Sequence, residues 1–558
     1  MASIDKHGVM DHNMTLAEIK SKHGVDKPAV GLRLLFTVKL KPNGELDKYK
    51  VRMVVQGHSG NMQRNVHFWN TFSASPNCTT ARILQGIATQ HGWCRLAWDI
   101  SVAFLHAEAR DYERMPLRYP IGMRERNQDG HELHACLLGN LYGNPTAGRR
   151  FAELRNNWMM EEFSRDGWTI STTTADPCLF IIKSPDTKSA KGSTTYLLIH
   201  TDDADAVSES LDDVTMIAER FDQRFGITIV DPAFMLGTLR ETTVVEGVQY
   251  VQIRQPEFLT ALEEQFKDQL PKRVPQTPFP ENEFLTLYRD DGTKVEVPEQ
   301  EMKSVYDRGY QSLVGSLLWG MRMTFPECAV GVNFCCRMMS SPTELAMKCA
   351  LHIAAYMIGQ KHRGIRFNSA ASAVPICFYD SSDKGDPKDS KAQYGHVIMM
   401  FGGPVLWNSK KHDHVGLSST HNEYMAARHA TTNVVWLRQL ITEMGLAGTM
   451  LEPYRKHDEI NSDGTSPTII LGDNDNATLL TREDHVTPGN KFIRRDYHYV
   501  KEAVTDGIIC PRRVDTLSNI ADIFTKPLSR QYIDRLRPVL TGYAPIATLL
   551  DVPPKPRD

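Results

Sequence analysis

The chain has 558 residues, 41% of them hydrophobic and 23% charged, with a formal net charge of −3. That length predicts about three or four domains with ample cores, and the composition excludes fibrous and low-complexity classes. The near-neutral balance gives no global signal for nucleic acid, although a basic groove can be offset by acids elsewhere. The ten cysteines show no paired CxxC spacing, and Cys335-Cys336 read as core packing. This argues against zinc or a disulfide frame and for a reducing, intracellular setting. Met1 to Asp11 is polar and unlike a signal peptide, and no apolar run nears the roughly 20 residues of a membrane helix.

In chain order, Leu32 to Lys41 and Tyr49 to Gln56 read as strands flanking Pro42-Asn43-Gly44-Glu45, a hairpin signal. Lys39, Lys41, Lys48, Lys50 and Arg52 make that hairpin basic. Thr79 to His91 predicts a helix, followed by a strand into Trp98-Asp99. Gly148 to Phe163 predicts a second helix. Thr195 to Ile199 is an apolar strand that runs into His200-Thr201-Asp202-Asp203, and Ala204 to Val207 returns from it, so the acids lie at a hairpin tip. A further helix covers Asp212 to Phe225. Lys272 to Val297 is rich in Pro, Asn, Glu and Asp and reads as a linker or exposed loop. Tyr310 to Gln360 is helical and rich in Met, Cys and Leu. Past the small-residue seam Ala370 to Ala373, a second mixed unit begins at Pro375, and Pro553 to Asp558 is a tail. The irregular alternation of strands and helices predicts an α+β fold.

Two groups of acids stand out. Adjacent carboxylates such as Asp202 and Asp203 repel by about 4 kcal/mol at 4 Å if the effective dielectric is about 20. A cation relieves that repulsion, and oxygen-only ligands favour Mg²⁺. Asp99 ends an earlier strand, as two-metal phosphoryl transfer requires of carboxylates that converge on ions about 3.5–4 Å apart. Neighbouring strand residues point to opposite faces, so Asp99 and Asp202 are the expected principal ligands, with Asp203 in support. The second group is Asp380, Glu423, Asp473 and Asp522, each at a strand end or a helix start. Singly, every one of these acids reads as a turn or helix cap; the ordered series gives them their meaning.

Asp99-xxx-Ala-Phe-Leu, Leu141-Tyr142-Gly143 and Asp202-Asp203 resemble the reverse transcriptase of copia-type LTR retrotransposons. Tyr49 to Gly57, Thr71-Phe72-Ser73, Met235-Leu236-Gly237, Tyr310 to Leu318 and Arg337 to Thr343 are similar to further motifs of that family. Trp407-x-Ser409-Lys410-Lys411, Leu417 to Tyr424, Asp473-Asn474 and Ala521 to Leu528 resemble its RNase H. The resemblance implies a right-hand polymerase followed by an RNase H-like α/β domain. Fingers and palm would occupy 1–245, thumb and connection 246–370, RNase H 371–545 and a tail 546–558. It implies RNA-directed DNA synthesis and hydrolysis of RNA in RNA–DNA hybrids, with two Mg²⁺ per site or Mn²⁺ in their place. Partners would be an RNA template, a DNA primer, the hybrid and dNTPs, with no membrane. A second copy of the chain or other Pol and Gag products are further expected partners. The setting would be cytoplasmic virus-like particles with a nuclear phase.

Residue by residue, Asp99, Asp202 and Asp203 would hold the polymerase metals, and Asp380, Glu423, Asp473 and Asp522 the RNase H metals. Phe104 would be an aromatic gate against a ribose 2′-hydroxyl, and Tyr142 and Gly143 would line the incoming nucleotide. Lys50 and Arg52 would meet its triphosphate, or else form a solvated basic face. Lys410, Lys411, Lys491, Arg494 and Arg495 are candidate phosphate contacts, and His498 matches a family histidine whose simpler reading is structural. The sequence departs from the family at three places. His200-Thr201 replaces Tyr-Val before the paired acids, Asn144 to Gly148 alters the segment after Leu-Tyr-Gly, and Asp380-Ser381-Ser382 replaces Asp-Ala-Asp. Two readings follow: an active reverse transcriptase with RNase H, cut or encoded as the C-terminal part of a Pol polyprotein, and a decayed copy that folds and binds nucleic acid without catalysis.

Overall fold

A computed structural model describes residues 2–40, 46–58, 61–186, 192–281, 283–289, 291–382, 386, 388–416, 418–452, 460–475 and 494–550. The chain is a mixture of helices and strands, as the α+β reading expects, and it divides into two compact units. Among the described residues no helix is long and apolar enough to cross a membrane.

The first unit comprises 1–76, 94–172 and 177–230. Its strands are β1 (Met10–Met14), β2 (Val30–Leu40), β3 (Leu46–Val55), β4 (Cys94–Ile100), β5 (Met115–Arg118), β6 (His134–Leu137), β7 (Thr169–Thr172), β8 (Leu179–Lys183), β9 (Thr194–His200), β10 (Asp203–Ser208) and β11 (Ile227–Val230). They form one sheet in the order β1-β6-β5-β2-β3 and another in the order β11-β4-β10-β9-β8-β7. The basic hairpin is present as antiparallel β2 and β3; its Asn43-Gly44 turn lies outside the described residues. Side chains alternate along β3, so Lys48, Lys50 and Arg52 share one face.

The second sheet carries the acids and packs on an apolar core. β9 is apolar on both faces and buried from Thr195 to Ile199, the pattern of an interior strand. The helix Leu211–Phe225 starts at Ser210, whose hydroxyl accepts the Asp213 N–H at 3.2 Å. It buries Val214, Ile217, Ala218, Phe221 and Phe225, a spacing of three and four residues that lays one stripe on the sheet. Trp98, Phe151, Phe163 and Trp168 complete that core. The third aspartate of the acidic run, Asp205, is fully buried and held by Arg95 Nε and Nη2 at 2.6 and 2.7 Å. That bidentate pair makes it part of the sheet's structure.

The second unit comprises 77–93, 173–176 and 231–558. Its strands are β12 (Phe234–Met235), β13 (Thr238–Val245), β14 (Val248–Arg254), β15 (Ile365–Asn368), β16 (Ile376–Ser381), β17 (Gln393–Met400), β18 (Gly403–Lys411), β19 (Thr468–Gly472) and β20 (Ile509–Arg513). β12 to β15 make a four-stranded sheet in chain order. Helices Tyr310–Met323, Ala329–Arg337 and Glu344–Gly359 enclose an apolar core that includes Cys335. The segment 272–297 corrects the linker expectation. It has no helix among its described residues, yet Phe279 and Leu285 are buried in that core. The Phe279 ring meets Phe334 edge-on at 5.8 Å, so two apolar anchors outweigh the segment's polar composition.

The remaining sheet runs β18-β17-β16-β19-β20. β16, β17 and β18 are antiparallel neighbours, and β19 and β20 run parallel to β16. The long helix Ser419–Glu443 is capped by Ser418, which accepts from the His421 N–H at 3.1 Å. Thr420 lies inside that helix and does not start it. Glu423, in the first turns of that helix, reaches β16 at Ser381.

Candidate active sites

The first site lies at one edge of the second sheet of the first unit. Asp99 is near the end of β4 and Asp203 is the first residue of β10, and the two are directly opposed in the ladder. Directly opposed residues share a face of the sheet. Asp202 sits in the two-residue turn between β9 and β10, and its carbonyl accepts the Ile100 N–H at 2.8 Å. The turn thus delivers Asp202 alongside the end of β4. Burial, then the charges of Asp202 and Asp99, raise the Asp203 carboxyl above its usual range, with a smaller opposing effect from His200. Thr201, the other turn residue, has φ 59°. For a β-branched side chain that left-handed backbone costs about 1–2 kcal/mol.

A cavity of about 890 Å³ is lined by Asp99, Asp202, Lys48, Lys50, Arg52, Leu141 and Tyr142. Asp203, although it shares a face of the sheet with Asp99, is not part of that lining. The hairpin's basic face and the acidic strand ends therefore open on one space. The Tyr142 ring lies 5.5 Å from the Arg52 guanidinium and 5.2 Å from Phe104 in an edge-on contact. Phe104 belongs to a short 3₁₀ turn, Ala103–His106, reached through Val102 at φ 49°.

Gly143 explains why glycine follows Leu141-Tyr142. Its φ is 80°, and a Cβ there would stand 2.2 Å from the Val55 carbonyl oxygen and 2.5 Å from Val54 Cγ1. Only a residue without a side chain lets this loop close on β3. The closure is sealed by the Val55 N–H donating to the Tyr142 carbonyl at 2.8 Å. Gly57 has the reciprocal constraint, with its Cβ position 2.0 Å from the Gly143 carbonyl oxygen.

The second site is built in the second unit. Asp380 lies on central strand β16, Asp473 directly follows β19, and Asp522 belongs to the 3₁₀ helix Ile520–Phe524. Their ligand oxygens lie within 4.8 Å of one another, and Asp380 and Asp522 are each only 2% exposed. Among the described residues this is the one acid, histidine or cysteine group of three or more that converges so closely. The Asp99, Asp202 and Asp203 set is looser, and Glu423 stands outside the cluster. Glu423 is buried on Ser419–Glu443, and its Oε1 accepts the Ser381 N–H at 3.2 Å. It therefore braces the residue next to Asp380.

Burial first, then Asp522, pushes the Asp380 carboxyl well above the usual range, against the pull of Lys526. Asp522 is also raised, chiefly by burial. The Thr525 hydroxyl donates to Asp380 Oδ2. Lys526 Nζ lies 3.0 Å from Asp522 Oδ1 and 4.0 Å from Asp380 Oδ2. Burial lowers the affinity of Lys526 for its proton, but the three carboxylates overcome that and hold it above its ordinary range. Three converging, mostly buried oxygen donors with surplus negative charge fit a hard divalent cation such as Mg²⁺.

Sequence reasoning had Lys526 only as a motif letter; its i,i+4 spacing from Asp522 was the available signal. Lys410 and Lys411 border a cavity of about 580 Å³ with Arg337, Lys388 and Lys294. Lys411 is already paired with Asp386 and Asp389, at 2.7 and 2.8 Å. Lys491 and the side chains of Arg494, Arg495 and His498 lie outside the described residues.

Residues 19–170 match the family model described as reverse transcriptase (RNA-dependent DNA polymerase). The chain is 27% identical over 506 residues to a retrovirus-related Pol polyprotein from transposon RE1 of Arabidopsis thaliana, covering 90% of this chain and 31% of that one. It is 24% identical over 511 residues to the corresponding polyprotein from transposon TNT 1-94 of Nicotiana tabacum, covering 89% of this chain and 35% of that one. It thus spans about a third of the length of these relatives. Among solved structures, the N-terminal RNase H domain of rv2228c from Mycobacterium tuberculosis, fused to maltose binding protein, aligns with 31% of this chain and all of its own, at 13% identity and a TM-score of 0.20. With its motifs in order and relatives matched along nine-tenths of its length, the chain is similar to the Pol polyproteins of copia-type retrotransposons and carries a reverse transcriptase segment.

Proposed function

We propose that the chain is an RNA-directed DNA polymerase whose second unit degrades RNA in RNA–DNA hybrids. The observation that carries this reading is the occurrence of two separate acidic sites in one chain, one facing a basic hairpin and one buried in a five-stranded sheet. In the first unit, Asp99 and Asp202, supported by Asp203, would hold two Mg²⁺. In the second, Asp380, Asp473 and Asp522 would do so, with Glu423 adjacent. When bound, such ions activate the attacking oxygen and stabilise charge on the transferring phosphate.

The protein's own groups supply the rest. Lys50 and Arg52 offer cationic donors on the cavity wall opposite the acids, suited to a triphosphate. Phe104 against Tyr142 forms an apolar wall where a nucleotide sugar would lie, so a 2′-hydroxyl would meet carbon and find no hydrogen-bond partner. In the second site, Lys526 partly neutralises the carboxylates and keeps them together. Its ammonium is also placed to contact a phosphate oxygen once that charge is taken over. Hybrid recognition would rest on backbone shape and 2′-hydroxyls.

The template, primer, hybrid and dNTPs follow as partners, in the cytoplasmic, particle-associated setting expected of such elements. The fingers–palm, thumb–connection and RNase H boundaries near 245 and 370 are part of this proposal. The test is extension of a labelled DNA primer on an RNA template with Mg²⁺ and dNTPs, run beside cleavage of a labelled hybrid. Product in both assays supports the reading. A folded protein that yields neither, across metals and templates, supports the decayed-copy alternative that the altered Asn144–Gly148 segment suggests.

A further inference from the structure

We propose that Arg155 is a positioning residue for the polymerase acids: its guanidinium, buried behind the Thr201-Asp202 turn, fixes the backbone that sets Asp202 beside Asp99. The inference rests on the polymerase reading of that site.

Arg155 lies on the helix Ala147–Glu162, and only 3% of it is exposed. Its Nη1 donates to the Thr201 carbonyl at 2.8 Å. Its Nε and Nη2 both donate to Asn156 Oδ1, at 3.1 and 2.8 Å, and its carbon face lies against Phe151. These hydrogen bonds all end on neutral oxygens, and burial pushes the guanidinium down to about 10. A buried cation without an ion pair is expensive, and an apolar side chain of similar volume would be the cheaper filler. The Phe151 ring under the guanidinium offsets part of that cost, and the hydrogen bond to the Thr201 carbonyl is what an apolar filler would not supply.

The two-residue loop between β9 and β10 favours a turn with positive φ, and Thr201 fills that position at φ 59° although a β-branched residue resists it. Two hydrogen bonds hold successive carbonyls of the turn: Arg155 on that of Thr201, and the Ile100 N–H on that of Asp202. Ile100 is the neighbour of Asp99, so the second bond ties the two acids together. The first keeps the turn from relaxing away from that tie. The planar guanidinium suits this task because its other two nitrogens lock it to Asn156, leaving Nη1 aimed at the Thr201 oxygen.

The test uses the full chain with Arg155→Met, which keeps the stem and removes the donors, and Arg155→Lys, which keeps a charge and one donor. Three quantities are read: amide exchange across 199–204, primer-extension kcat with KM for dNTP and the Mg²⁺ requirement, and hybrid cleavage as an internal control. For Arg155→Met, turn exchange should quicken by about tenfold. Its kcat should fall by about tenfold and half-saturating Mg²⁺ should rise, while KM for dNTP stays within about twofold. Hybrid cleavage should be retained, and Arg155→Lys should recover part of the loss. Unchanged turn exchange, or a rise in KM alone, overturns the proposal. If Arg155→Met also loses cleavage, Arg155→Lys decides: slow turn exchange together with restored primer extension supports the role, and a folded Lys variant with wild-type exchange and no polymerase activity overturns it. Should wild type extend no primer, the polymerase reading fails, and the exchange comparison still decides whether Arg155 holds the turn.

Discussion

Asp380→Asn gives a stability change whose sign is set by competing charges. A like charge on Asp522 within 4.8 Å costs about 3 kcal/mol at an effective dielectric of about 20, and the Lys526 ammonium at 4.0 Å returns about 4 kcal/mol. Asp473, within the same 4.8 Å, adds about 3 kcal/mol of repulsion, so the charges leave a net cost of roughly 2 kcal/mol, and the desolvation of a carboxylate 2% exposed adds to it. The Asp380 carboxyl is raised in the folded state, so the native protein holds that proton more tightly than the unfolded chain does. No penalty exists below the unfolded value. It grows as pH climbs toward the folded value and is complete above it. At neutral pH, Asn removes the penalty and still accepts the Thr525 hydroxyl, so the second unit should gain about 2 kcal/mol, or roughly 5 °C in Tm. The assay is calorimetric unfolding in EDTA, repeated across a Mg²⁺ titration. Wild type should melt lower than Asp380→Asn without metal and rise with Mg²⁺, while the variant should respond far less. A variant that melts lower in EDTA, or gains the full Mg²⁺ shift, would refute both the charge balance and the metal assignment.

Three further outcomes follow from the geometry. Gly143→Ala meets the Val55 carbonyl at 2.2 Å with φ at 80°; it should lower Tm and raise KM for dNTP by about tenfold as Tyr142 is displaced, and wild-type values for both would contradict the close-approach account. Phe104→Ala should raise rNTP incorporation relative to dNTP by about tenfold, and an unchanged ratio would exclude Phe104 as the sugar gate. Because the Asp380 and Asp522 carboxyls are raised, protons should compete with the cation as pH falls, so half-saturating Mg²⁺ for hybrid cleavage should be higher at about pH 6 than at about pH 8; equal values would place the titrating groups elsewhere.

What was readable beforehand follows from how local each signal is. The helices Cys78–His91, Ala147–Glu162 and Leu211–Phe225 came within about a residue or two of their expected spans, because caps and apolar spacing are written in neighbouring residues. The Asp202-Asp203 hairpin was legible from an apolar run ending in acids. The anchored course of 272–297 was not, since the Phe279 ring packs on Phe334, more than fifty positions away. Arg155 was invisible for the same reason: it reads as one more charge on an arginine-rich helix until β9 and β10 bring Thr201 to it. The role of Gly143 needed both its φ and the approach of β3, neither of which a Leu-Tyr-Gly triplet states.

The central claim is that one chain carries two independent metal-dependent active sites, and a crossed pair of variants measures it most directly. Asp202→Asn and Asp522→Asn are each assayed for primer extension and for hybrid cleavage against wild type. The account predicts that Asp202→Asn abolishes extension and leaves cleavage near wild type, and that Asp522→Asn does the reverse. If both variants keep extension, or if each folded variant loses both activities together, the two-site account is contradicted.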